Sequence, residues 1–185
     1  MPRLAVATRD KIPEKQVGLF DEIVKELGAA PDIGPRSILA YVPKVYRLEE
    51  KLRDYLTKES TLSGDIVELT ILVTARELDC QYVWNSHAAS ARKAGISNAL
   101  IDALREDRAL PKVSDRYLAL INYGREFFRT HRVSAGTFAM VKEHFGERGL
   151  VELSVLFGDY IMLITLLNAN DPQLRARTEP LLPIC

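Results

Sequence analysis

The 185-residue chain is short of several things: it has two cysteines, one tryptophan, three methionines and no excess of charge, since 25 Lys+Arg balance 25 Asp+Glu. Cys80 and Cys185 are too few for a disulfide framework, which excludes the small disulfide-stapled secreted class and matches a reducing compartment. A net charge of zero excludes a protein whose main task is gripping nucleic acid or an anionic membrane, because excess Lys and Arg hold those partners. Residues 1–11 carry Arg3, Arg9 and Asp10 among their apolar residues and so lack a signal-peptide core. The most apolar stretch, 150–169, contains Glu152 and Asp159 and scores poorly as a bilayer span. A soluble cytoplasmic protein is expected. There is no Gly-rich phosphate loop, no Gly-x-Ser-x-Gly elbow, no Cys-x-x-Cys and no His/Glu pair at metal-ligand spacing beside His87. Neither a metal nor a cofactor is therefore expected.

What is present is an ordinary globular composition, 47% apolar and 27% charged, over a length that fits one domain spanning 1–185. Apolar residues recur at helical spacing almost throughout, and no long run alternates with period two, so the fold class is all-α, a helical bundle. Pro13 opens a first helix with Val17, Phe20, Val24 and Leu27 as its apolar side and Gly28 as its stop. A loop with Pro31, Gly34 and Pro35 follows, and Pro43 starts a second helix with Val45, Leu48, Leu52 and Leu56 facing in. A third helix runs over 63–78 and is apolar around most of its circumference, so its polar residues need a reason. A fourth covers 80–94; its junction with the third is the least certain boundary, because Glu77, Leu78 and Asp79 include no Gly or Pro. Ser97, Ser114 and Ser134 cap three more helices, the last stopping at Gly146, and a final long helix covers 148–168. The proline-containing C-terminal segment is expected to be irregular, and a short strand around Val6 is the most β-structure the chain allows.

Residues 66–73, IVELTILV, and 150–157, LVELSVLF, form a partial internal repeat at an offset of 84, aligning Glu68 with Glu152 and Thr70 with Ser154. The offset carries Cys80 onto Ile164 and His87 onto Asp171, so a single site per chain belongs to the first copy.

Reactive side-chain types gather at one place: Glu68, Cys80 twelve residues on, and then Tyr82, Trp84 and His87. On one helix Cys80 and His87 share a face but lie roughly 10 Å apart in rise, with Trp84 between them. A thiol at a helix start meets backbone N–H groups and the positive end of the dipole, which favour thiolate; a small apolar filler is the plainer role. His87 is placed to exchange protons near neutral pH, or to be a hydrogen-bonded structural residue. A buried Glu68 either acts on His87 or is neutralised by Arg76 or another arginine. Tyr82 and Trp84 are core or subunit-interface aromatics first and site-lining groups second.

The segment ELTILVTARELDCQYVWNSHAASARKAGIS, residues 68–97, resembles the carboxymuconolactone decarboxylase and alkylhydroperoxidase D family, with the likeness extending over about 43–169. The resemblance implies an all-α fold, in some members duplicated, assembled as a homo-oligomer, trimer or hexamer. The peroxidase branch carries a Glu, a Cys twelve residues on, a second Cys three further and a His four beyond that. Glu68, Cys80 and His87 match these positions, and Val83 replaces the second Cys. The decarboxylase branch tends to Tyr-Glu-Trp-x-x-His, matched here by Tyr82, Trp84 and His87. The expected function is cofactor-free proton transfer, decarboxylation or isomerisation, on a small organic acid or lactone. In it Glu68, Cys80 and His87 are catalytic candidates, and Arg76, Tyr82 and Trp84 contact substrate. The alternatives are a one-cysteine alkylhydroperoxidase or peroxiredoxin-like antioxidant acting through Cys80, and a non-catalytic oligomer binding a small ligand.

Overall fold

A computed structural model describes residues 2–174, 176 and 179–183; Cys185 lies outside them. The described residues form helices and no strand, and Val6 lies in irregular backbone. In chain order the α-helices are α1 (Val17–Leu27), α2 (Gly34–Leu39), α3 (Pro43–Asp54), α4 (Gly64–Glu77), α5 (Gln81–Lys93), α6 (Asn98–Arg105), α7 (Asp115–Thr130) and α8 (Ala135–Asn170). A π turn, Tyr55–Glu59, extends α3.

Local signals set most of these boundaries. Gly28 ends α1 at φ 78°, and Ser97, Ser114 and Ser134 accept the third backbone N–H of the helices they cap. Helix α8 is two helices broken at Gly146, whose φ of 68° and ψ of 178° only glycine adopts without strain. The junction between α4 and α5 needs no glycine because Asp79 takes the left-handed conformation, at φ 48°. Cys80 N–H bonds Ala75 O at 2.8 Å and Asp79 N–H bonds Arg76 O at 3.3 Å, the paired closure of a Schellman turn. Arg76 donates to the Asp79 carboxylate at 2.5 Å and steadies the turn.

Two expected faces need correction. Helix α3 buries Pro43, Tyr46 and Glu49, whereas Val45 and Leu48 are exposed, because Tyr46 packs with Ile23, Leu39 and Leu163. Helix α1 buries Phe20 and Ile23, and Leu27 is exposed. The segment expected as a loop after Pro31 contains α2, in which Pro35 sits in the first turn, where its missing N–H costs nothing.

Helix α4 is the axis of the bundle, packed against α5, α6, α7 and α8. Its Ile66, Leu69, Ile71, Leu72, Val73 and Ala75 are buried, each large side chain contributing about 1.5–3 kcal/mol. Its buried polar residues are satisfied within the helix, since Thr70 and Thr74 donate to Ile66 O and Thr70 O, both at 2.7 Å. By length and composition α8 can cross a membrane, but more than half of its most apolar stretch is buried inside the protein, against α4 and α7.

Candidate active site

Because the Asp79 turn folds α5 back along α4, Glu68 meets His87. Glu68 Oε2 lies 3.0 Å from His87 Nδ1. An ionised carboxylate only accepts, so this contact suits the imidazole tautomer that donates from Nδ1 and turns its Nε2 lone pair towards Tyr160. The Tyr160 hydroxyl of α8 stands 3.4 Å from Nε2, with its ring edge-on to the imidazole at 5.6 Å. Glu68 is one-fifth exposed and His87 one-quarter, so the expected full burial of Glu68 is replaced by partial burial behind His87, which lines a cavity.

That cavity, about 340 Å³, is lined by Ile33 before α2, Pro35 and Arg36 of α2, and Glu49 and Arg53 of α3. Tyr82, Val83, Ser86 and His87 of α5 and Tyr160, Leu163 and Leu167 of α8 complete it. Burial, reinforced by Glu68 and Asp159, pushes the Tyr160 phenol far above its ordinary 10, so this hydroxyl stays protonated and acts as a donor. The arrangement provides an oriented base, Nε2, and a neutral hydroxyl donor beside one small space.

The other candidates are placed differently. Cys80 caps α5, and its thiol meets the N–H groups of Val83 and Tyr82, as a helix start provides. It is nevertheless completely buried, and burial outweighs those bonds and pushes its pKa up, so the thiolate expected from the helix dipole is disfavoured. Cys80 does not line the cavity. Trp84 is buried in the core with its indole N–H on Pro180 O at 3.1 Å, and Arg76 is engaged in the Asp79 turn; neither lines the cavity, whereas Tyr82 does. With Cys185→Ser as background, Cys80 is expected to resist a thiol reagent for many minutes in the native protein and to react fully in urea; rapid native labelling would contradict this burial.

Four cavity residues, Arg36, Glu49, Arg53 and Tyr160, and the nearby Asp159 lay outside the sequence-based candidates. Asp159 is 4% exposed, and among the described residues neither of its carboxylate oxygens has a hydrogen-bond partner. Burial first and Glu49 second raise its pKa from 3.8 to about 7, against the opposing pull of Arg53. The unfolded chain ionises this group near 3.8 and the folded protein near 7, so its contribution to stability is complete below pH 4 and is lost as pH rises through about 7. Asp159→Asn is expected to remove that decline and to gain on the native chain by on the order of 2 kcal/mol at pH 8, but not at pH 4. Urea titrations at both pH values check this, and a variant equally destabilised at each contradicts it.

The helical bundle is of the alkylhydroperoxidase D-like class. It superposes on an uncharacterised peroxidase-related protein with an alkylhydroperoxidase AhpD core from Ralstonia eutropha JMP134, with a TM-score of 0.71 and 18% identity, covering 94% of this chain and 92% of that one. A peroxidase-related protein from Silicibacter sp. TM1040 is similar at a TM-score of 0.69 and 17% identity, covering 95% and 92%. The debrominase Bmp8 is similar at 0.67 and 12%, covering 95% and 91%. No curated protein sequence matches the chain significantly. Residues 43–126 match the carboxymuconolactone decarboxylase family, and over nearly the whole chain the fold is that of the alkylhydroperoxidase D-like proteins. The matched span includes Glu68, Cys80 and His87; Arg36 and Tyr160 lie outside it.

Proposed function

We propose that the protein is a cofactor-free enzyme that moves a proton on a small organic acid or lactone, by isomerisation or decarboxylation next to a carbonyl. The observation that carries this reading is the Glu68–His87–Tyr160 alignment at the wall of a cavity. In an isomerisation, the substrate C–H bond breaks and its proton goes to His87 Nε2. The electron pair moves onto the carbonyl oxygen, and the resulting enolate accepts a hydrogen bond from the Tyr160 hydroxyl. Glu68 faces the imidazolium formed at that moment and stabilises it, and His87 then returns the proton to a different carbon. In a decarboxylation, the C–C bond to the carboxylate breaks, carbon dioxide leaves, the bonding electron pair passes onto the substrate as an enolate, and His87, having taken a proton from solvent at Nε2, delivers it to the carbon that lost the carboxylate.

The antioxidant alternative places the chemistry on Cys80, and the burial and raised pKa of that thiol weigh against it. A stoichiometric dose of hydrogen peroxide is expected to leave Cys80 titratable after unfolding; its rapid loss in the native protein would favour the alternative. We place the protein in the cytoplasm as a homo-oligomer, in which exposed apolar side chains such as Leu48 and Val151 supply subunit contacts. Light scattering after gel filtration tests the assembly, and a monomer at micromolar concentration would refute it. The reaction itself is tested by assaying small lactones and oxo acids with the native chain and His87→Ala. Turnover that disappears with His87 supports the proposal, and turnover fully retained in His87→Ala refutes it.

A further inference from the structure

We propose that Arg36 and Arg53 form an anion subsite in this cavity, and that its ligand is a small carboxylate with an apolar body held by one or both guanidinium groups. The inference rests on the cavity being the reactive site described above. Arg53 stands one helical turn after Glu49 on α3 and both line the cavity, yet among the described residues no carboxylate oxygen lies within 4 Å of its guanidinium. Among the described residues Arg36 has one distant ion-pair contact, 3.9 Å to Glu50, and its guanidinium lies over the Tyr46 ring at 5.9 Å, which leaves its N–H fork without a close carboxylate. Several other arginines are closely paired: Arg47 with Glu26 at 2.7 Å, Arg129 with Glu77 at 2.7 Å and Arg148 with Glu152 at 2.9 Å. Glu50 is itself engaged by Arg47 at 2.8 Å and Asp54 by Lys58 at 2.9 Å, so neither is available to Arg53.

Glu49 and Asp159 are the acidic groups nearest the two arginines; burial first pushes both carboxyls up, against the opposing pull of Arg53. No ion pair within 4 Å joins either of them to Arg36 or Arg53 among the described residues, and guanidinium groups remain charged. The cavity thus offers two cations with open donor forks, a geometry that suits the two oxygens of a carboxylate. Ile33, Leu163 and Leu167 provide apolar wall for the rest of the molecule, and the volume, about 340 Å³, is at the small end for ligand sites. Arg36 comes from α2, which precedes the span matched to the family, whereas Arg53 on α3 lies within it.

Calorimetric titration with hexanoate and with its uncharged counterpart hexanamide tests the subsite. The native chain is expected to bind hexanoate at least about tenfold more tightly, with a preference that shrinks as salt is raised. Arg36→Gln and Arg53→Gln are each expected to cost hexanoate roughly tenfold or more and to leave hexanamide unchanged. Thermal melts confirm that each variant is folded, and Arg53→Lys, which keeps the charge but loses the fork, should fall between. His87→Asn should retain the preference for the anion. Equal binding of the two probes, binding of neither, or an unchanged preference in both folded glutamine variants would overturn the subsite. If the preference survives while no His87-dependent proton transfer is found, the subsite stands and the proton-transfer reading falls. The reverse pair of results removes the subsite alone.

Discussion

Glu152→Ala is expected to destabilise the fold by about 2–4 kcal/mol and to lower Tm by on the order of 10 °C. Glu152 is 4% exposed and accepts four hydrogen bonds: Tyr55 hydroxyl at 2.6 Å, Thr61 N–H at 2.8 Å, Thr61 hydroxyl at 2.5 Å and Arg148 Nε–H at 2.9 Å. It ties the π turn and the following segment, which lead from α3 into α4, onto α8. Removing it leaves the half-buried Tyr55 hydroxyl and the Thr61 backbone N–H without this acceptor, which adds to the loss of the bonds themselves. Burial alone would raise this carboxyl, but the bonds from Thr61, Tyr55 and Arg148 overcome it and hold the pKa at about 2, below the ordinary 4.5. The sign is thus opposite to that of Asp159: stability from Glu152 is present above pH 4.5 and is lost as pH falls through about 2. Urea denaturation at pH 7 measures the loss, and a change below about 1 kcal/mol would contradict the clamp.

The second large effect concerns rate. His87→Asn is expected to reduce turnover by about 10²–10⁴-fold, the usual contribution of a positioned acid or base. The fold should persist, because His87 is one-quarter exposed and lies at the cavity wall. In the proposed reaction Glu68 acts through His87 as a positioning residue. Glu68→Gln should therefore lower kcat by less than His87→Asn while leaving KM nearly unchanged. A merely structural Glu68 would lower the amount of folded protein and leave kcat per folded molecule in place.

The helical class, the three serine caps, the Gly146 break and the Glu68 to His87 cluster were legible because they rest on local chemistry and on helical spacing. The pairing of Glu68 with His87 was legible only as one possibility, since the turn that creates it uses a left-handed aspartate that carries no marker as strong as glycine. The inward face of α3 was misread for a physical reason: Val45 and Leu48 are the apolar choice by periodicity, yet α2 and α8 offer a pocket for Tyr46 and leave room for Glu49 and Arg53 at the cavity. Arg36 and Arg53 stand among charged or loop-like neighbours, where solvent exposure is the ordinary expectation. Asp159 and Tyr160 had a visible signal, a carboxylate inside the most apolar stretch, but that signal argues against a membrane span before it argues for a site. The repeat shows the same limit. Glu68 and Glu152 occupy aligned positions, and only their neighbours make one a hydrogen-bonded clamp and leave the other with a single bond to an imidazole.

The central claim is that His87 Nε2, oriented by Glu68, takes a proton from carbon. Proton NMR in D₂O of 2-oxo and 3-oxo carboxylates and a small lactone, each incubated with the protein, measures this through loss of the signal adjacent to the carbonyl. The expected result is deuterium incorporation into at least one of these compounds that is faster than buffer alone, is abolished in His87→Asn and persists in Cys80→Ala. Exchange no faster than buffer for every compound, or exchange that survives His87→Asn and disappears in folded Cys80→Ala, would contradict it.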